Sequence, residues 1–240
     1  MNYEEFALIQ KGYPRNIGND YMMPAEVRKL MNHEKLRCIA DEQALFMFEQ
    51  REGYRKLWFR LRDTNAKLPA KEETVAAYLV YRQDTPPTIA AEWLVSQGFS
   101  HAKTLERYTA KGIIGDLSTQ GITEATFDET YAMLSEYFSA PEVDMPCRDM
   151  FERAICARAD DGNLLGVLYM GQTRILAVSP KARGLGIGGK LYRAFAAESK
   201  NAIFHEWIRP DNTASIAMFR KLGFTKGDII TDLYIRGNKF

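Results

Sequence analysis

The sequence predicts an α/β fold with a sheet of mixed rather than purely parallel strands. Three observations indicate this class. Segments with strand and helix patterns alternate along the chain, turn-like links join neighbouring strand segments into hairpins, and a glycine-rich loop leads from a strand into a helix. Hydrophobic residues make up 46% of the chain and charged residues 26%, which is enough apolar side chain for a folded core and excludes a disordered chain.

The first half begins with two helix-like patterns within residues 1–50, one of them near 24–31, where Pro24 suits the start of a helix. A turn-like link at 49–53 predicts a β-hairpin between two of the strand segments that follow. A further helix over 88–97 is expected to end at Gly98. The strand patterns of this half lie at 36–39, 44–49, 54–61 and 74–81.

In the second half, amphipathic helices are predicted around 127–138 and 148–158. A hairpin follows, whose strands 164–170 and 173–178 turn at Gly171 and Gln172. After the glycine-rich loop, the pattern predicts a helix to about Lys200, a strand over 202–208, a helix over 213–222 and a final strand near 229–235.

The chain length suggests one large domain or two compact ones, because 240 residues is long for one small domain and short for two large ones. The small and flexible stretch from Lys111 to Gly121 is the best boundary in the sequence. We therefore predict an N-terminal α/β domain over 1–112 and a second domain over 113–240.

Composition excludes several classes of function. A net charge of +1 argues against a protein that mainly neutralises nucleic-acid phosphates. The odd number of cysteines, without a paired motif, is typical of a reducing compartment, and the three histidines lie apart from them, so no metal site is predicted. The first ten residues do not resemble a signal peptide, and no stretch approaches 18 apolar residues. We expect a cytoplasmic protein, a monomer or homodimer, that does not span a membrane.

The segment from Gly184 to Gly189 has four glycines in six residues and opens an apolar helix. Backbone N–H groups at a helix start, with no Cβ to block approach, form an anion site. The segment therefore predicts a phosphate-bearing ligand. The competing interpretation is that the glycines only allow tight packing of the helix on the strand.

Two other phosphate motifs fit this loop less well. Gly184, Gly186 and Gly189 match the spacing of a dinucleotide-binding motif, and Glu206 follows at a suitable distance, but five residues separate the strand from the first glycine. The same segment nearly matches a P-loop, except that Leu191 stands where a magnesium-binding hydroxyl belongs.

The segment from Val178 to Gly188 resembles the Arg/Gln-x-x-Gly-x-Gly/Ala signature of the GNAT N-acetyltransferase superfamily, with the same Val-x-Pro-x-x-Arg-Gly lead-in. The segment from Asn212 to Phe224 resembles the second signature of that family, a capped helix that ends in Gly-Phe. The two follow in the family's order and spacing, and the resemblance covers roughly residues 115–240. It implies a GNAT acyl-CoA N-acyltransferase fold in the C-terminal half.

The resemblance further implies direct transfer of an acetyl group from acetyl-CoA to an amine of a small molecule or peptide, without a covalent enzyme intermediate or a metal. The strand ending at Val178 would separate from the strand 202–208, and the gap would admit the pantetheine arm. The residues that the resemblance assigns to acetyl-CoA are Leu176, Ala177 and Val178 at the pantetheine, Arg183, Gly184, Leu185, Gly186, Ile187, Gly188 and Gly189 at the pyrophosphate, and Asn212 and Phe219 along its far side.

The sequence departs from the family at its acid and base. Phe219 stands at the position of the usual tyrosine acid, and Trp207 stands where some relatives carry a base. Strand alternation places His205 on the face of Trp207 and Glu206 on the opposite face. The catalytic candidates are therefore His205 as base, Glu206, and Tyr192 or Tyr234 as substitute acids. A CoA-binding or sensing protein without turnover is the alternative.

Residues 90–99 are similar in sequence to residues 215–224, including the Gly-Phe ending. No glycine-rich loop precedes residues 90–99. One interpretation is a tandem arrangement in which the N-terminal copy is GNAT-like, has lost its cofactor site and shapes the acceptor pocket or supports dimerisation. The other is a chance similarity between two helix C-termini, since glycine is common there.

Overall fold

The computed structural model describes residues 2–69, 74–171, 173–199 and 203–237. The chain divides into two compact units, of which the first comprises residues 1–104 together with 229–240 and the second comprises residues 105–228.

In chain order, the helices are α1 (Tyr3–Lys11), α2 (Pro24–Asn32), α3 (Thr88–Ser96), α4 (Phe127–Ser135), α5 (Ile187–Ala197) and α6 (Thr213–Lys221). The strands are β1 (Leu36–Ala40), β2 (Ala44–Gln50), β3 (Arg55–Leu61), β4 (Val75–Arg82), β5 (Ser100–Ala110), β6 (Ile122–Glu124), β7 (Ala154–Arg158), β8 (Leu164–Met170), β9 (Arg174–Val178), β10 (Phe204–Ile208) and β11 (Thr225–Arg236). The predicted α/β class with mixed strands is confirmed.

The first unit contains the predicted hairpin, because β2 and β3 pair antiparallel across the link at 49–53. The sheet is mixed, since β1 pairs antiparallel with β2 whereas β3 pairs parallel with β4. Helix α3 covers the sheet through Trp93, whose ring lies 4.7 Å from that of Phe59 and 5.9 Å from that of Phe46. The helix ends as predicted at Gly98, which adopts a left-handed φ of +84°.

The C-terminal strand lies with the first unit, although the sequence boundary at 112/113 assigns it to the second. The reason is its pairing. Residues Ile229 to Arg236 of β11 run antiparallel to Val75 to Arg82 of β4. The unit boundary itself falls within β5, between Thr104 and Leu105.

The second unit contains an antiparallel sheet in the order β6-β7-β8-β9, and strand β10 pairs antiparallel with β5 through residues 106–110. Helices α5 and α6 share an apolar cluster with β10 that includes Leu191, Tyr192 and Phe219. Helix α4 belongs to a second cluster with the sheet, on the other face of β9.

The helix predicted at 148–158 is wrong. A short 3-10 turn covers Arg148–Met150, and β7 follows between β6 and β8. Four successive residues of β7, from Ala154 to Ala157, are buried. A strand buried on both faces shows a continuous apolar run, which periodicity cannot distinguish from a helix.

Among the residues that the structure describes, no helix is long and apolar enough to cross a membrane. Within the same ranges, no group of three or more His, Cys, Asp and Glu side chains is arranged to hold a metal ion.

Candidate functional site

The glycine-rich loop joins the end of β9 to the start of α5. A 3-10 turn over Pro180–Ala182 follows the strand, and Gly186 is the N-cap of the helix. Gly184 and Gly186 adopt left-handed φ values of +80° and +78°. A Cβ at either position would meet nothing within 4 Å, so the space in front of the loop is open. Glycine is needed at both for the backbone conformation.

This loop presents a set of backbone donors. Within the described part of the chain, the amides of Gly184, Gly186 and residues 187–189 donate no hydrogen bond, and no side chain caps the helix. The first N–H groups of a helix have no acceptor inside it, and the helix dipole adds partial positive charge at the same place. The loop is therefore suited to an anion such as a pyrophosphate.

Gly188 has a different role in the same segment. A Cβ there would lie 2.8 Å from Met218 Sδ and 3.2 Å from Leu176 Cδ2, so glycine permits close packing of α5 on α6 and β9. At Gly189, a Cβ would make only an ordinary contact with Arg193, at 3.5 Å. Tight packing thus accounts for one glycine of the segment, whereas backbone conformation accounts for Gly184 and Gly186.

Strands β9 and β10 are not paired with each other among the described residues, because β9 is the edge of the four-stranded sheet and β10 pairs with β5. A side chain bridges them instead. Arg174, the first residue of β9, donates from Nη2 to the carbonyl oxygen of His205 at 2.6 Å and from Nε to the carboxylate of Glu206. The two strands therefore meet at Arg174, whereas the far end of β9 leads into the glycine-rich loop.

The side chains of β10 alternate between two environments, as the sequence predicts. Phe204, Glu206 and Ile208 are buried, whereas His205 and Trp207 are exposed. Nδ1 of His205 lies 3.1 Å from the hydroxyl of Thr109. Partial burial lowers the pKa of His205, and the positive charges of nearby arginines lower it further. The imidazole is therefore neutral at pH 7 and able to accept a proton.

Glu206 lies at the centre of a buried polar cluster. Its carboxylate accepts hydrogen bonds from the hydroxyl of Tyr192 and from Arg174 Nε. The residue is only 8% exposed, and this burial raises the pKa of Glu206, although Arg174 opposes the shift. Burial and the neighbouring carboxylate likewise raise the pKa of Tyr192. The tyrosine hydroxyl thus already has an acceptor inside the fold.

Sequence reasoning did not identify Arg174, which connects β9 to this cluster. A weak signal was present, since an arginine begins an otherwise apolar strand and a glutamate occupies a buried alternation position in β10. A buried glutamate needs a partner. The sequence alone does not say which arginine supplies it.

The two residues assigned to the far side of the cofactor lie on α6. Asn212 caps the helix, and its Oδ1 accepts a hydrogen bond from the amide of Ser215 at 3.1 Å. Phe219 is 6% exposed and makes edge-to-face contacts with Tyr192 and Phe224, at centroid distances of 5.1 Å and 5.0 Å. Its ring therefore belongs to the aromatic core of the second unit.

Tyr234 lies in the first unit, on the part of β11 that pairs with β4. It is buried, and its ring contacts His101 at a centroid distance of 5.4 Å. Burial raises its pKa, and the charge of Asp232 adds to the shift. The other catalytic candidates, His205, Glu206 and Tyr192, lie in the second unit together with the whole glycine-rich loop.

The comparison with family models identifies residues 123–224 as a match to the acetyltransferase (GNAT) family. The matched range includes β9, the glycine-rich loop, α5, β10 and α6. Proteins of this family transfer acyl groups from acyl-CoA to amines. No curated protein matches the chain.

Solved structures with similar folds cover nearly the whole chain. A Drosophila protein is 15% identical with a TM-score of 0.62, and the match covers 98% of this chain and 87% of that one. A GCN5-related N-acetyltransferase from Kribbella flavida is 12% identical with a TM-score of 0.54, over 90% and 96%. A tandem GNAT protein from the clavulanic acid biosynthesis pathway is 13% identical with a TM-score of 0.57, over 99% and 94%. These identities show the fold alone, and the predicted GNAT fold is confirmed.

Proposed function

We propose that this chain, whose residues 123–224 form a domain of the acetyltransferase (GNAT) family, is an N-acetyltransferase that uses acetyl-CoA and acetylates an amine of a small molecule or peptide. The observation that carries the proposal is the open glycine-rich loop with its unpaired N–H groups at the start of α5. This arrangement suits the pyrophosphate of CoA. When bound, acetyl-CoA supplies an activated acyl thioester.

The residues present fit such a ligand. Hydrogen bonds from backbone N–H groups to a charged acceptor contribute about 1.5–3 kcal/mol each. The side chain of Arg183 adds a positive charge beside the loop, where its guanidinium lies 5.6 Å from the ring centre of Tyr137. A Cβ at Gly184 or Gly186 would project into open space, so the backbone itself can approach an anion closely.

Strand β9 supports the placement of the pantetheine arm. Its residues Leu176, Ala177 and Val178 pair with β8 on one side, and the other side is an edge that does not pair with β10 among the described residues. An edge strand presents backbone donors and acceptors to whatever lies beside it. We infer that the amide groups of the arm use this edge.

The acceptor amine must lose a proton before it attacks. For a lysine-like ammonium with a pKa near 10.4, this costs about 4.6 kcal/mol at pH 7. We infer that His205 takes the proton, because its imidazole is exposed on β10 and its pKa is lowered. A donor for the departing thiol is not essential, since a thiol pKa of about 8.5 lies near physiological pH. Tyr192, whose hydroxyl is bonded to Glu206, is not needed for that step.

The test combines binding with turnover. We expect CoA and acetyl-CoA to bind in a calorimetric titration and to compete with each other for one site. A panel of small amines and peptide N-termini is then screened for release of free thiol from acetyl-CoA. Absence of CoA binding would contradict the proposal at its first step.

A second candidate is a protein that binds CoA without turnover. It is favoured by Phe219, which has no proton to donate, and by Trp207, which has no basic atom. Tight CoA binding without thiol release for any amine would support this sensor. Turnover of any amine that depends on His205 would exclude it.

A further inference from the structure

We propose that Arg174 and Glu206 determine the length of the acyl chain that the protein accepts, by closing the inner end of the gap between β9 and β10. The inference rests on the proposed function, since it requires an acyl-CoA in that gap. It identifies short acyl groups as the donor class and assigns a specificity role to two residues outside the glycine-rich loop.

The gap runs along β9, away from the glycine-rich loop. The glycine-rich loop follows Val178 at one end of β9, and Arg174 begins the strand at the other. At about 3.3 Å per residue, the two Cα atoms are roughly 13 Å apart. A ligand whose pyrophosphate lies at the loop and whose arm follows the strand therefore extends towards Arg174.

The side chains of β9 alternate between the two faces of the strand. Arg174, Leu176 and Val178 share one face of β9, because alternate residues of a strand point the same way. Leu176 packs in the apolar cluster of α5 and α6, whereas Ile175 and Ala177 pack on the opposite face. Along this face of β9, the apolar side chains thus give way to a guanidinium at the end of the strand that lies farthest from the loop.

This guanidinium is held in place. Arg174 donates to the carbonyl of His205 at 2.6 Å and to the carboxylate of Glu206, and it lies 5.3 Å from the ring centre of Phe195. If a long acyl chain displaced it, Glu206 would be left buried without its charged partner. Breaking one side of a buried ion pair is strongly unfavourable. If Arg174 stayed where it is, a long apolar acyl chain beside it would remove water from the guanidinium and provide no hydrogen bond to replace that water.

The experiment measures how affinity depends on chain length. Dissociation constants of acetyl-, butyryl-, hexanoyl- and octanoyl-CoA are determined calorimetrically for the wild-type chain and for the double variant Arg174→Ala with Glu206→Gln. This pair of changes removes the guanidinium and the buried charge together, and the amide still accepts from Tyr192. In the wild type, we expect hexanoyl-CoA to bind at least tenfold more weakly than acetyl-CoA. In the double variant, we expect the ratio of the hexanoyl-CoA dissociation constant to the acetyl-CoA dissociation constant to fall by tenfold or more.

Two further variants keep the result interpretable. Arg174→Met with Glu206→Leu replaces the ion pair by apolar groups, a change that folded proteins often tolerate. This variant should also reduce the preference for acetyl-CoA over longer acyl-CoA. The matched control is Arg153→Ala with Glu198→Gln, which removes an exposed pair of the same residue types in the same unit. The control should keep the wild-type ratio.

The outcomes separate this inference from the function on which it rests. If the wild type binds octanoyl-CoA as tightly as acetyl-CoA, or if the folded variants keep the wild-type ratio, the specificity role is overturned while the acyltransferase proposal stands. If the wild type binds neither CoA nor acetyl-CoA, both are overturned.

Discussion

The hydroxyl of Tyr192 on α5 donates a hydrogen bond to the carboxylate of Glu206 on β10, inside the core of the second unit. Both residues were catalytic candidates on sequence grounds, and the structure joins them to each other and to Arg174. A buried carboxylate with two such donors stabilises the arrangement of α5, β9 and β10. This role differs from that of an acid exposed to a substrate.

Replacing Tyr192 by phenylalanine should therefore affect stability more than chemistry. The change removes one donor from a buried carboxylate, which costs about 1–3 kcal/mol. We expect a lower unfolding free energy in urea and a kcat within tenfold of the wild type. A kcat loss of a thousandfold at unchanged stability would instead identify Tyr192 as the catalytic acid.

Gly186→Glu should weaken CoA binding by a hundredfold or more. The new carboxylate would stand among the backbone donors of the loop and repel a pyrophosphate. Gly162 is a matched control, because it has a φ of +85° against +78° at Gly186 and a Cβ at either position meets nothing within 4 Å.

Gly162→Glu therefore imposes similar backbone strain at a position outside the loop. We expect both variants to lose similar stability in a thermal melt and only Gly186→Glu to weaken CoA binding, by a hundredfold or more in a calorimetric titration. Equal CoA affinity in the two variants would contradict the assignment of the loop.

Local signals explain which elements the sequence predicts correctly. The start of α2 at Pro24, the end of α3 at Gly98 and the alternation along β10 each depend on a few neighbouring residues, and all three agree with the structure. The glycine-rich loop is predictable for the same reason. Its residue types are dictated by backbone conformation within six positions.

Longer-range features could not be predicted in this way. Strand β5 was not predicted, because it is rich in polar residues and only Tyr108 and Ala110 along it are buried. Arg174 and Glu206 are 32 positions apart, and the local sequence around neither residue indicates which residue it pairs with. The pairing of β11 with β4 links residues about 150 positions apart, so the place of the C-terminal strand depends on tertiary structure.

Gly188 and Gly189 should differ in their tolerance of alanine. At Gly188, a Cβ would come within 2.8 Å of Met218 Sδ and 3.2 Å of Leu176 Cδ2, and crowding of this kind costs about 1–3 kcal/mol. At Gly189, the nearest atom is 3.5 Å away, and alanine favours a helix by about 1 kcal/mol over glycine. We expect chemical denaturation to show a loss for Gly188→Ala and no loss for Gly189→Ala. Equal losses would contradict the packing role of Gly188.

The pH dependence of turnover should report on His205. Its pKa is lowered by burial first and then by the charges of Arg107 and Arg174, so the neutral form predominates above the ordinary value of about 6.5. We expect kcat/KM to fall as the pH drops through a pKa below 6.5, because protonation removes the base.

Arg107→Gln removes one of the two charges that lower the pKa of His205. The acidic limb of the pH profile, where kcat/KM falls, should therefore move to higher pH, towards about 6.5. His205→Gln should lower kcat by about 10²–10⁴-fold, the usual contribution of a general base, and should abolish the limb. His33→Gln, at the exposed end of α2, is the control and should leave the profile unchanged. An acidic limb that persists in His205→Gln would show that another group accepts the proton.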